Sequence, residues 1–172
     1  MEAEARRAEI MRLLRLANAP LTGHELSGRL GVSRQVIVQD IALLRARGAG
    51  ILATPQGYII MEEAVRFPRR TFAVQHGMDR LYEELHLMVS LGGRVIDVVV
   101  EHPLYGELKG MLMLHNEAEV RRFSDNLVRS GAQPLSALTS GVHLHTVEAS
   151  DEQVLEAIEK ELDRVGLLLK QA

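Results

Sequence analysis

In the C-terminal third of the chain, Gly141-Val142-His143-Leu144-His145-Thr146 alternates in character. Alternation of this kind reads as a β-strand that turns both imidazoles to one face. Two neutral ring nitrogens on one side of a strand suit Ni, Zn, Fe or Cu. The sequence has no cysteine, which excludes disulfides, thiolate zinc sites and cysteine nucleophiles, so any metal must be held by nitrogen and oxygen. Among the seven histidines, His24, His86 and His115 read instead as surface or hydrogen-bonded residues. In the helical stretch 78–90, Leu81, Leu85 and Met88 make the apolar stripe while Glu83 and Glu84 lie on other faces. The period alone does not decide which of the two turns inward.

The other end of the chain carries a different pattern. Residues 5–17 place Ile10, Leu13, Leu14 and Ala17 at helical spacing. Pro20-Leu21-Thr22 then stops this helix and offers Thr22 as the N-cap of a second, 23–30, with Glu25 completing a capping box. Gly31-Val32 makes a tight turn and Ser33 caps a third helix. In it Ile37, Ile41 and Leu44 share one stripe, while Arg34, Gln35, Val38 and Gln39 face away. Two helices, a turn and a shared core describe a helix-turn-helix, so Ser33 and these four residues are the expected DNA contacts. Residues 51–54, the turn Pro55-Gln56-Gly57 and residues 58–60 read as a small hairpin, which makes the reader winged. The pattern resembles the winged domain of biotin-repressor-type regulators, in which the third helix enters the major groove.

Charge divides along the same line. Residues 1–71 carry 11 Arg against 7 acids, a net +4, whereas residues 72–172 carry 9 Arg and Lys against 16 acids, a net −7. Only the first part has the electrostatic footprint of a nucleic-acid binder. A length of 172 residues suits a small reader plus a second domain of roughly 100 residues. No apolar stretch is long enough to span a bilayer, and a soluble cytoplasmic protein is expected.

Residues 61–70, with mixed charge and Pro68, read as a linker between a reader at 1–62 and a second domain at 70–172. There the patterns predict strands at 70–75, 94–101, 107–114, 135–138, 141–148 and 167–170, and helices at 78–90, 117–129 and 151–165. For the last helix, Ser150 is the expected cap, Gln153 its box partner, and Val154, Ile158, Leu162 and Val165 the buried stripe. The fold class is α+β, with helices on one face of a mainly antiparallel sheet.

His76 before a helix, then Glu101-His102-Pro103-Leu104-Tyr105-Gly106-Glu107, then Ser140-Gly141-Val142-His143-Leu144-His145-Thr146 occur in this order. Together they resemble the three-histidine domain. With the N-terminal reader, nearly the whole chain resembles the nicotinate-responsive transcriptional repressors of NAD biosynthesis and niacin salvage. The resemblance implies an HPr-like α/β sandwich as the regulatory domain, one divalent transition metal per chain (Ni, Zn or Fe), nicotinic acid as co-repressor, and a homodimer on operator DNA. By position it implies His76, Glu84, His143 and His145 as metal ligands. It leaves His102, with Tyr105, to line or support the ligand pocket. It names no catalytic residue.

Two other readings stand beside it. A regulator of the same build can sense another small carboxylate or the metal itself. A metal held by His and Glu also activates water, which would make a hydrolase with Glu83, Glu101 or Glu107 as base, although an attached DNA reader has no use there.

Overall fold

The computed structural model describes residues 2–61 and 67–170. It forms two compact units, 1–65 and 66–172, and residues 62–66 of the expected linker lie outside the described residues.

The first unit is built from α1 (Ala3–Leu16), α2 (Gly23–Leu30) and α3 (Arg34–Ala46), followed by the strands β1 (Ile51–Thr54) and β2 (Gly57–Ile60). Local signals dictate these boundaries. Glu25 N–H donates to Thr22 Oγ1 at 3.1 Å and Thr22 N–H returns to Glu25 Oε2 at 2.7 Å, a complete capping box. Gly31, left-handed at φ 66°, ends α2 at no side-chain cost, and Ser33 Oγ accepts from Val36 N–H to begin α3. Ile10, Leu14, Leu26, Ile37, Ile41 and Leu44 close one apolar core. The α3 stripe contains one polar residue that periodicity did not single out. Asp40 is buried and accepts from Arg6 Nε at 2.5 Å and Arg7 at 3.2 Å, tying α3 to α1. The wing is extended by a bridge between Leu21 and Tyr58, and a Cβ on Gly57 would lie 2.6 Å from the Leu21 carbonyl, so only glycine lets the wing close against that segment.

The second unit contains β3 (Arg69–Gln75), β4 (Arg94–His102), β5 (Gly106–Leu114) and β6 (Val142–Glu148), with α4 (Leu81–Ser90), α5 (Glu117–Ser130) and α6 (Glu152–Arg164). The sheet order is β3-β6-β4-β5 and every pairing is antiparallel. Phe72, Val74, Val95, Leu112, Leu114 and Val147 of the sheet join helix residues such as Leu85, Val120 and Ile158 in one cluster, so the helices cover one face. Register places Phe72 and Val98 opposite His145 and Val74 opposite His143, which turns both histidines into that covered face.

Several expectations are corrected. Residues 135–138 are not a strand: Leu135–Thr139 is a 3-10 helix, because Pro134 starts it and the left-handed Ser140 and Gly141 end it. The predicted helix 78–90 begins with a separate 3-10 turn, Met78–Arg80. The closing strand 167–170 is reduced to a bridge of Leu168 with Val74, flanked by hydrogen bonds from Gln75 to Leu167 and from Leu169 to Ala73. Asp151, not Ser150, caps α6, since its carboxylate accepts from Val154 N–H at 3.0 Å while Ser150 bonds the carboxylate. With the cap moved by one residue, Gln153 misses the box position, and Leu155 joins Ile158 and Leu162 in the buried stripe in place of Val154 and Val165.

Candidate functional site

Four side chains from three parts of the second unit converge beneath the helices. His76 follows β3, Glu84 lies on the first turn of α4, and His143 and His145 come from β6. The choice that periodicity left open is settled by position: Glu84 is 1% exposed, whereas Glu83 pairs with Arg80 at the surface. Glu84 Oε2 lies 2.5 Å from His76 Nε2, 3.3 Å from His143 Nε2 and 3.4 Å from His145 Nε2. The ligand atoms of His76, Glu84 and His143 all fall within 4.8 Å of one another.

The other ring nitrogens are engaged elsewhere. His76 Nδ1 donates to the Gly77 carbonyl at 2.8 Å, His143 Nδ1 to the Gly141 carbonyl at 2.8 Å and His145 Nδ1 to the Asp97 carbonyl at 2.7 Å. A ring that donates from Nδ1 offers a lone pair at Nε2 once that nitrogen carries no proton, the outer-shell arrangement of metal-binding histidines. All three Nε2 atoms point at Glu84. Its Oε1 is buried with no hydrogen-bond partner, and a buried acceptor left unmatched costs about 1–3 kcal/mol, more when charged. Burial opposes ionisation of Glu84, yet the charge of His145 and hydrogen bonds from His143, His145 and His76 hold its carboxyl well below the usual range. Burial likewise works against charge on His76 and His145, but the Glu84 carboxylate beside them raises both. Three imidazole nitrogens, one carboxylate and an unmatched oxygen fit a divalent transition metal.

Asp97 was missed by the sequence reading. A bulge between Val95 and Asp97 offsets β4 so that the Asp97 carbonyl meets His145, while its carboxylate accepts from Thr146 N–H at 3.1 Å. The available signal was an aspartate inside the otherwise apolar run Val95–Val100.

His102 and Tyr105 lie at the β4–β5 turn, outside that cluster. His102 Nδ1 accepts from the amides of Leu104 and Tyr105 at 3.1 and 3.3 Å and so shapes the turn, and Tyr105 is 70% exposed. Beside the turn is an open cleft of about 770 Å³ lined by Glu101, Pro103, Glu107, Thr139, Val142 and Leu144 among others. Glu101 and Glu107 face each other across the strands, so this cleft carries a pair of carboxylates. His24 and His115 are exposed, and His86 stacks on Tyr82 with ring centroids 5.5 Å apart.

On the first unit, Ser33, Arg34, Gln35, Val38 and Gln39 are all exposed along the start of α3. They present one exposed, mostly polar stripe opposite the core residues Ile37, Ile41 and Leu44, the disposition a groove-reading helix needs.

A model of the 3H domain matches residues 69–171 and a model of an HTH domain matches residues 6–59. The probable transcription repressor NiaR of Thermotoga maritima is 43% identical over 168 residues, 98% of this chain and 95% of its own. The transcription repressor NadR of Bacillus subtilis is 42% identical over 168 residues, covering 96% and 93%. The chain belongs to this family of transcription repressors. The repressor is a DNA-binding regulator and not an enzyme, and the hydrolase reading falls. Its α+β build, helix-turn-helix first and 3H domain second, follows the family order. Among the described residues, no helix is long and apolar enough to cross a membrane.

Proposed function

We propose that this repressor controls genes of NAD biosynthesis and niacin uptake, with nicotinic acid as co-repressor and one divalent transition metal, Ni, Zn or Fe, in each regulatory domain. His76, Glu84, His143 and His145 hold the ion. The observation that carries the reading is the convergence of three Nε2 atoms, their rings oriented by Nδ1 donation to backbone carbonyls, on a buried glutamate with one unmatched oxygen. A bound ion supplies the positive charge that attracts the nicotinate carboxylate, which the acidic cleft beside β4 does not. Direct contact between nicotinate and the ion leaves His102 and Tyr105 a supporting role at the neighbouring turn.

The DNA partner is a double-stranded operator in the cytoplasm, bound by a homodimer whose two readers enter half-sites about 34 Å apart. Ser33, Arg34, Gln35, Val38 and Gln39 make the contacts. Arg34→Ala and Gln39→Ala are each expected to weaken specific operator binding by ~1–3 kcal/mol at fixed salt, with nicotinate binding intact. Unchanged operator affinity in both variants, measured by fluorescence anisotropy, would show that another surface reads the DNA.

Metal uptake also has a predicted proton signature. Glu84 raises His76 and His145, so both rings hold a proton more readily in the metal-free protein than free imidazoles do, and any such proton must leave when an ion binds. Affinity for the ion therefore rises with pH and falls as acid protonates the two rings. Calorimetric titration in buffers of different ionisation enthalpy reads the release directly, and uptake without proton release would contradict this ligand set.

A further inference from the structure

Resting on the metal site above, we propose that Gly141 is a positioning residue of that site, a backbone point that sets His76 against His143. Its carbonyl accepts twice, from His143 Nδ1–H at 2.8 Å and from the His76 backbone N–H at 3.3 Å. The first bond orients the His143 ring so that Nε2 faces Glu84. The second holds the chain from which the His76 ring reaches the same carboxylate.

The approach that makes this possible excludes a side chain. A Cβ on Gly141 would lie 2.5 Å from the His76 carbonyl oxygen, 3.1 Å from its carbon and 3.3 Å from its nitrogen, all backbone atoms. Gly141 is also left-handed, at φ 91°, directly after the left-handed Ser140. The turn is pinned on its other side, since Gly141 N–H donates to Ser136 O at 2.9 Å and Gln75 Nε2 to Ser140 O at 3.3 Å. The glycine cannot retreat from His76, so His76 must move if it gains a side chain.

Gly131 provides the matched control. It is left-handed at φ 66°, and an added Cβ there meets nothing within 4 Å. Alanine at either glycine carries the left-handed penalty, but only at Gly141 does it also displace a proposed ligand.

The test is Ni(II) titration of the full-length repressor carrying Gly141→Ala, Gly131→Ala, His76→Ala, or Gly141→Ala with His76→Ala. Gly131→Ala should bind like wild type and Gly141→Ala roughly 10- to 100-fold more weakly, the range for outer-shell partners. In the His76→Ala background, the Gly141 change should add much less than it does alone, because it acts through His76. Equal affinity for the two glycine variants, or full additivity with His76→Ala, overturns the inference while leaving the metal site standing. No stoichiometric uptake by wild type overturns both. A second readout needs no variant: in zinc-loaded, nitrogen-15-labelled wild type, NMR should show His143 protonated at Nδ1 and its Nε2 on the ion, and ligation through Nδ1 refutes the role of Gly141.

Discussion

With His143 and His145 both replaced by alanine, the purified repressor is expected to carry no metal above background by elemental analysis, against one divalent ion per chain in the wild type. Two of the four proposed donors vanish together, and they are the two that β6 delivers from the sheet. What remains, His76 and Glu84, is a bidentate pair already bonded to each other at 2.5 Å. The substitution spares the strand itself, whose register is held by its pairings with β3 and β4. A folded variant without metal is therefore the expected product, and a melting curve with one cooperative transition checks the fold. An ion retained at full stoichiometry would make the His-x-His strand structural only and would place the site elsewhere.

The second large effect is a coupling. Nicotinate acts as a co-repressor only if it binds the DNA-competent form better than the free form, and linkage then requires operator DNA to tighten nicotinate binding by the same factor. A tenfold effect per site corresponds to ~1.4 kcal/mol, and two sites in a dimer multiply to about a hundredfold. Nicotinate titrations with and without saturating operator measure it. In the His143→Ala, His145→Ala variant the factor should collapse to one. A nicotinate affinity indifferent to operator in the wild type would remove the co-repressor role while leaving the DNA reader untouched.

The reader was legible in the sequence because its signals are local. Thr22 with Glu25, Gly31, and Ser33 each mark a boundary by hydrogen bonds within a few residues, and each is found where the spacing puts it. The two strand histidines were legible for the same reason, since alternation along β6 alone puts them on one face. Glu84 was not separable from Glu83 by period. The selection comes from packing, which buries the side chain that meets His76, His143 and His145. Asp40 escaped notice because its partners Arg6 and Arg7 lie more than 30 residues away in the sequence. The bulge that aims the Asp97 carbonyl at His145 is a sheet property that no single strand displays. Residues 135–138 misled because Leu135-Ser136-Ala137 begins an alternation like that of a strand, while the tight turn at Ser140-Gly141 shortens the segment into a 3-10 helix.

The central claim is that a metal-held site in the 3H domain lets nicotinate control the reader. The most direct test is operator affinity of the wild-type repressor at fixed salt in four conditions: with and without nicotinate, before and after removal of the metal by chelation. Tight binding is expected in one condition, metal present with nicotinate, and weaker binding in the other three. Equal affinity in all four would contradict the claim.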